Sequence, residues 1–285
     1  VVDDMDMRIT HVIRGDDHIN NTPRQIHIFN ALAYPTPTYA HLPTVLNAEG
    51  EKMSKRDPKT KSVMQYAAEG FLPEAMVNYL ARLGWSHGDD EIFSRAQFLE
   101  WFDLDHLGKS AAQFDETKLR WVNAQHLKAM DDAALAAAVT PFLAERGLNA
   151  VPTAQLQAAC ALFKDRCETL VALADWIGAA LQNPDWPQVQ ASSDAQQHLA
   201  ADKLPAIKPA IAALAEKLQA CEWEAGAINA AFKATLQESG LKMPQLAMPV
   251  RVLTVGRAQT PSVDALLHLI GREAVLQRLA LLQTL

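Results

Sequence analysis

The stretch 50–61 reads GEKMSKRDPKTK and gathers Lys52, Lys55, Arg56, Lys59 and Lys61 in a chain whose net charge is −7. Two ammonium groups three residues apart in a turn can reach one phosphate from two sides. They cancel charge that builds in a phosphoryl or nucleotidyl transition state. Lys52 and Lys55 have that spacing, and Ser54 between them adds a hydroxyl or a backbone N–H. Glycine is too scarce here for a P-loop, and a lysine loop over a nucleotide suits a closing lid. The plainer alternative is a solvated Lys-rich surface loop. Arg14 is the second candidate: it ends a strand-like run, and open α/β sheets bind ligands at the carboxyl ends of their strands. A structural bridge from Arg14 to Asp16 or Asp17 is the other reading.

The elements that must position these residues follow from local pattern. Residues 8–13, RITHVI, read as a strand that stops at Gly15. Thr22, Pro23 and Gln25 then look like the cap, first position and capping-box partner of a helix, with Ile26, Phe29 and Ala33 as its buried stripe. Three prolines exclude a helix from YPTPTYAHLP, and TVLN after it reads as a second short strand with His41 as a structural residue before it. AEGEK turns into the basic loop. Strand, helix and strand in sixty-odd residues indicate an α/β piece.

Beyond Lys61 the pattern becomes helical. LPEAMVNYLARLGW is a helix opened by Pro73 and closed by Gly84, with Met76, Leu80 and Leu83 on one face. DETKLRWVNAQHLKAM is another, capped by Asp115. SHGDDE at 86–91 is acidic but lacks calcium-loop spacing. From 131 onward Ala/Leu/Gln-rich sequence punctuated by prolines and glycines predicts about seven to nine helices, without a fixed repeat period.

Composition limits the function classes. A 285-residue chain with 49% apolar residues can fill well-packed cores, about two domains' worth by length. No apolar run approaches the roughly 18 residues of a membrane span, so no membrane partner is expected. Three cysteines without a CxxC pair argue against a disulfide framework or zinc site. Cys160 and Cys167, seven apart on an apparent helix, read as core thiols in a reducing cytoplasm. Net acidity argues against a general nucleic-acid coat while leaving room for a polyanion held by a local patch. Such a patch is visible at 242–285, where Lys242, Arg251, Arg257, Arg272 and Arg278 face only Asp264 and Glu273 in sequence. The sequence begins at Val1, in strand-like residues, and reads as part of a longer protein.

KMSKR matches the lysine-loop motif of class I aminoacyl-tRNA synthetases. The flanks VVDDMDMRITHVIRGDDHINNTPRQ and FLPEAMVNYLARLGWSHGDDEIFS, and the end MPVRVLTVGRAQTPSVDALLHLIGREAVLQRL, resemble bacterial glutamyl-tRNA synthetases. The resemblance covers essentially the whole chain. It implies a mainly α fold with an α/β remnant: the end of a class I Rossmann-type catalytic domain, then helical stem-contact and all-α anticodon-binding domains. The implied boundaries are 1–62 for the catalytic part with its lysine loop, 63–130 for stem contact, and 131–205 and 206–285 for two anticodon-binding subdomains.

The same resemblance implies a glutamate-tRNA ligase that activates L-glutamate with ATP and passes it to the 3′ end of tRNA(Glu). Lys52 and Lys55 would steady the triphosphate. Lys55, Ser54, Met53 and His18 would line the ATP pocket, and Arg14 would hold a carboxylate of the glutamate, as a bidentate pair allows. Asp3 and Asp4 would face the substrate ammonium or the tRNA acceptor end, with a solvated turn as the alternative. Asp4, Arg251 and Arg257 would touch tRNA, although TVGRAQTP departs from the Gly-rich loop common in the family. Mg2+ would accompany ATP, with no zinc site in this portion. The expected protein is a cytoplasmic monomer. The family's His-Ile-Gly-His motif lies in an N-terminal half that this chain lacks, so the chain alone is expected not to charge tRNA. Competing readings are a glutaminyl-type enzyme, disfavoured because its anticodon region is built from β-barrels, a short tRNA-modifying paralogue, disfavoured by length, and a non-catalytic tRNA-binding module.

Overall fold

In the computed structural model, which describes residues 1–54 and 60–284, two short extended runs lie side by side. They are β1 (His11–Gly15) and β2 (Thr38–Leu42), paired in parallel with His11 opposite Thr38 and Arg14 opposite His41. A parallel pair needs a crossover. A 3₁₀ turn (Asp16–Asn21) and the helix Thr22–Ala31 supply it. That helix is α2, because a one-turn helix, α1 (Val2–Asp6), precedes β1 where extended chain was expected. The second strand also lies earlier than the sequence indicated. At 44–47 only Leu46 makes ladder contacts, to Lys52 and to Gln113, because Pro43 interrupts the run after Leu42.

The rest of the first unit, Val1–Ala129, is helical: α3 (Val63–Ala68), α4 (Pro73–Arg82), α5 (Arg95–Trp101) and α6 (Glu116–Ala129). Pro23 and Pro73 each fill a first-turn position whose N–H would be unpaired anyway. Ser62 and Ser94 form capping boxes with Gln65 and Gln97. Asp115 Oδ1 accepts from the Thr117 and Lys118 amides as expected. The buried face of α4 is Ala75, Met76, Asn78 and Tyr79, and Leu80 points to solvent. The face is rotated because Tyr79 packs edge-on against Phe114 and Asn78 is buried between the Phe93 amide and the Glu91 carbonyl. At the head of α4 the Leu72 amide donates to the fully buried Asn123 Oδ1.

The second unit, Met130–Leu285, has ten α-helices among the described residues, more than expected. They are α7 (Asp132–Ala144), α8 (Thr153–Phe163), α9 (Leu170–Leu181), α10 (Trp186–Ala191), α11 (Ser193–His198), α12 (Leu204–Ala220), α13 (Ala225–Ser239), α14 (Met243–Val255), α15 (Val263–Ile270) and α16 (Arg272–Ala280). Short breaks account for the surplus. Ser192 both ends α10 and caps α11, and Gly271 at φ 95° separates α15 from α16. Pro141 and Pro249, expected as punctuation, sit inside α7 and α14. Cys167 lies beyond a 3₁₀ turn rather than on the helix of Cys160, yet both thiols are buried, and burial pushes each up to about 12.

Arg278 organises this unit. It is 2% exposed and donates to the carbonyls of Ala180, Gln182 and Thr254 at 2.7–2.9 Å. Those carbonyls belong to the ends of α9 and α14, where helices leave acceptors unpaired and carry partial negative charge. Burial pulls the guanidinium down to about 10, which still leaves it charged at neutral pH. Arg278→Met is expected to destabilise this unit by about 3 kcal/mol, since it strands buried carbonyls. Urea unfolding followed by tryptophan fluorescence measures it.

Candidate active site

Arg14 sits near the carboxyl end of β1, and its environment is built by α2 and β2. Arg14 Nη2 donates to Thr22 Oγ1 at 2.9 Å and to Gln25 Oε1 at 2.8 Å, and Nε points at His41 Nε2 at 3.4 Å. The guanidinium lies over the Tyr39 ring at 5.3 Å, and Tyr39 stacks with His41. The expected capping box is therefore absent. Asn21 occupies the cap position of α2 without a side-chain bond, because Thr22 and Gln25 turn toward Arg14. The acids that offered a bridge are engaged elsewhere: Asp16 accepts from Thr44 Oγ1 at 2.8 Å, and Asp17 pairs with Lys52 at 3.1 Å.

Tyr39 is a member of this group that sequence reasoning passed over. Burial raises its phenol above the ordinary value; Arg14 opposes the shift and Asp4 adds to it. Asp4, in the first turn of α1, is thus within electrostatic reach of the same pocket. Among the described residues the Tyr39 hydroxyl is buried without a hydrogen-bond partner. His18 lies in the 3₁₀ turn beside Asp17, its ring 4.0 Å from that carboxylate.

The base of the lysine loop is a tight hairpin. Leu46 bridges Lys52 in antiparallel fashion, the Met53 amide donates to Val45, and Asn47 Oδ1 collects the amides of Glu49 and Glu51. Gly50 turns the chain at φ 82°. Residues 112–114 hold the other side of Leu46, through its amide to Ala112 and the Phe114 amide back to it. Lys52 and Met53 thus start from a fixed platform. The Lys52 ammonium is the first cause that keeps Asp17 below the ordinary carboxylate value, through a hydrogen bond made in the open. Ser54 follows, and Lys55, Arg56 and Lys59 lie outside the described residues.

Lys61 is not part of this charge reserve. Its ammonium bonds Glu69 at 2.9 Å and Glu116 at 3.0 Å and lies over the Tyr66 ring, while Arg120 pairs with Glu116. Burial pulls Lys61 down, but the two carboxylates outweigh it and leave the lysine above its ordinary value. Burial likewise pushes Glu116 up, and Lys61 and Arg120 overcome it to hold Glu116 below its ordinary value.

In the second unit the expected basic patch is mostly consumed by structure. Arg278 is buried, and Arg272 lies over Trp223 and donates to the Cys221 carbonyl. Arg251 reaches the Ala258 and Pro261 carbonyls; burial lowers its guanidinium, and nearby Arg166 lowers it further. Arg257, just after the left-handed Gly256, lies 4.4 Å over the Trp176 ring. Arg166, exposed and electrostatically coupled to Arg251, was not singled out from sequence, because only folding brings the 3₁₀ turn Lys164–Arg166 beside α14. The 86–91 segment forms local pairs, His87 with Asp90 and Glu91 with Lys118. Among the described residues no group of three or more His, Cys, Asp or Glu is arranged to hold a metal ion, and no helix is long and apolar enough to cross a membrane.

Comparison with known proteins gives the class to which the chain belongs. Residues 1–121 match the family model of class I tRNA synthetases (E and Q), catalytic domain, and residues 134–282 match the anticodon binding domain. The chain belongs to the class I tRNA synthetases of the E and Q type and carries their anticodon-binding domain. It is 64% identical to a glutamate-tRNA ligase of Paracidovorax citrulli (strain AAC00-1), over 98% of this chain and 57% of that protein. It is 63% identical to one of Polaromonas naphthalenivorans (strain CJ2), over 99% and 59%. The crystal structure of a glutamate tRNA ligase from Elizabethkingia meningosepticum CCUG26117 in complex with its amino acid superposes with a TM-score of 0.85 at 27% identity, over 99% of this chain and 58% of that one. The chain thus spans a little under three-fifths of the length of these relatives.

The Lys61 cluster yields a pH test. Lys61 is raised, so its contribution is present below the ordinary lysine value and is lost as pH rises through the folded value. Glu116 is depressed, so its contribution is present above the ordinary carboxylate value and is lost as pH falls through the folded value. Lys61→Ala is expected to destabilise the first unit by about 1 kcal/mol, discounted for partial exposure, with a plateau from about pH 6 to 9. Denaturant unfolding of parent and variant across that range measures it.

Proposed function

We propose that this chain is the nucleotide-loop and tRNA-reading portion of a glutamate-tRNA ligase. The observation that carries the reading is Arg14: a cation at the end of a parallel strand, held by neutral acceptors, with its neighbouring acids engaged elsewhere. A carboxylate is the natural ligand of such a group. In the complete protein Arg14 binds a carboxylate of L-glutamate. Another glutamate carboxylate oxygen attacks the α-phosphorus of ATP in line, the bond to the bridging oxygen breaks, and pyrophosphate leaves. The 3′-terminal ribose hydroxyl of tRNA(Glu) then attacks the activated carbonyl, and AMP departs.

No protein nucleophile is needed, so the protein contributes position and charge. Lys52 on its hairpin platform, together with Lys55, takes charge from the triphosphate, and Lys52 exchanges Asp17 for phosphate oxygens when ATP arrives. Met53, Ser54 and His18 line the adenosine side. Mg2+ enters with ATP, consistent with its habit of binding through substrate phosphates. Asp4, near the Arg14 pocket, faces the substrate ammonium or the acceptor end. Arg251, Arg257 and Arg166 meet the anticodon arm. Support for that comes from the like charges of Arg251 and Arg166, close enough to act on one another, and from a cavity of about 440 Å³ beside Arg257, lined by Gln182, Asn183 and Gln188. Amides and a stacked guanidinium suit an unpaired base. The divisions 1–62, 63–130, 131–205 and 206–285 remain the proposed functional segments, and the protein acts as a cytoplasmic monomer.

Charging of tRNA(Glu) with labelled glutamate by the complete protein tests the reading; no ATP-dependent product would overturn it. Lys52→Ala is expected to lower kcat about 100-fold, whereas Lys61→Ala leaves it within about twofold, since that lysine's partners are structural. For the helical unit, binding to tRNA(Glu) is compared at fixed salt with a copy altered only in the anticodon. A clear loss on alteration is expected, and equal binding would contradict a base reader there.

A further inference from the structure

Three side chains from two elements converge on one guanidinium. Thr22 and Gln25 stand three residues apart on the first turns of α2, hence on one face. His41 is the register partner of Arg14 on the adjacent strand, so both side chains leave the sheet on the same side. A guanidinium has five N–H donors in one plane. Both hydrogens of Nη2 are taken, by Thr22 Oγ1 and Gln25 Oε1, and the Nε hydrogen points at His41. Thr22 in turn has its own hydroxyl hydrogen for His41 Nε2 at 3.0 Å or the His18 carbonyl at 3.4 Å. Tyr39 lies under the plane.

The chemistry of the acceptors matters as much as their number. Each is neutral: a hydroxyl, an amide, and an imidazole nitrogen that must be unprotonated to accept. A carboxylate in any of these places would hold Arg14 equally well but would cancel its charge. The nearby carboxylates of Asp16 and Asp17 are instead tied to Thr44 and Lys52, and that of Asp4 pairs with the Val1 amino group at 3.3 Å. The arrangement fixes the guanidinium in orientation, keeps it un-neutralised, and leaves Nη1 as the edge not committed to these three.

We propose that Thr22, Gln25 and His41 are positioning residues that hold Arg14 as an oriented, un-neutralised cation and present its Nη1 edge to the carboxylate of the amino-acid substrate. The inference rests on the reading of Arg14 as the glutamate-binding residue. A pre-ordered fork binds without first losing side-chain freedom, so these residues set glutamate affinity without touching glutamate.

Aminoacylation kinetics of the complete protein, with glutamate as the varied substrate, test it. Thr22→Val and Gln25→Leu each raise the glutamate KM about tenfold, the scale of one lost hydrogen bond to a charged group. The KM for ATP does not move, and kcat stays within about twofold. Thr22→Ser, which keeps the hydroxyl, restores the parent value. Gln25→Glu is the decisive variant. It is nearly isosteric but puts a carboxylate on Arg14, so it raises the glutamate KM more than Gln25→Leu does; a merely structural Gln25 would tolerate glutamate better than leucine. Arg14→Ala separates the two levels of the argument. If it leaves the glutamate KM unchanged, the reading of Arg14 falls and the positioning role falls with it. If it raises that KM while Thr22→Val, Gln25→Leu and Gln25→Glu do not, the positioning role alone is overturned.

Discussion

The parallel register between His11–Gly15 and Thr38–Leu42 is the constraint on which the first unit depends. Parallel strands cannot be joined by a tight turn, so the chain must leave the end of β1, cross over, and return. The crossover begins with the 3₁₀ turn and α2, which puts Thr22 and Gln25 above the strand end they have just left. The register then sets His41 opposite Arg14, with Tyr39 one step along the same face. Four residues from two elements, α2 and β2, thus meet at one cation carried by β1. After β2 the chain runs straight into the Leu46–Lys52 hairpin, and the Asp17–Lys52 pair joins the loop base to the crossover turn.

Cations in this protein fall into two kinds, distinguished by what answers them. Lys61 is met by two carboxylates and an aromatic face, and Arg278 by the carbonyls of two helix ends. Lys61 and the two Nη groups of Arg278 spend their charge on these internal partners, and they hold the structure. Arg14 is oriented by neutral acceptors, and among the described residues Lys52 is answered by the exposed carboxylate of Asp17, which solvent screens and a stronger anion can displace. Net charge along the sequence does not make this distinction. Burial and the nature of the acceptor do, which is why the arginines of 242–285 looked alike as letters and differ as side chains.

Much of the fold was legible in local pattern. Pro73 and Gly84 bracket α4, Asp115 caps α6, and the long Ala/Leu-rich half is helical. The lysine loop and Arg14 were marked by residue type and order. What was not legible depends on distant partners. Thr22 and Gln25 have capping-box spacing, and nothing local says that an arginine eight and eleven residues earlier will claim both side chains. The strand at Thr38–Leu42 was hidden because prolines on both sides mimic a loop, and its β character comes from pairing with β1. Leu80 and Tyr79 compete for the same helix face, and Phe114 decides between them. Breaks as short as Ser192 and Gly271 divide helices that periodicity alone merges.

A structure of the complete protein crystallised with L-glutamate tests the central claim most directly. The account predicts a glutamate carboxylate against Arg14 Nη1, with the Arg14 bonds to Thr22 and Gln25 retained at about their present lengths. A glutamate bound away from Arg14, or an Arg14 that abandons Thr22 and Gln25 to reach it, would contradict the account.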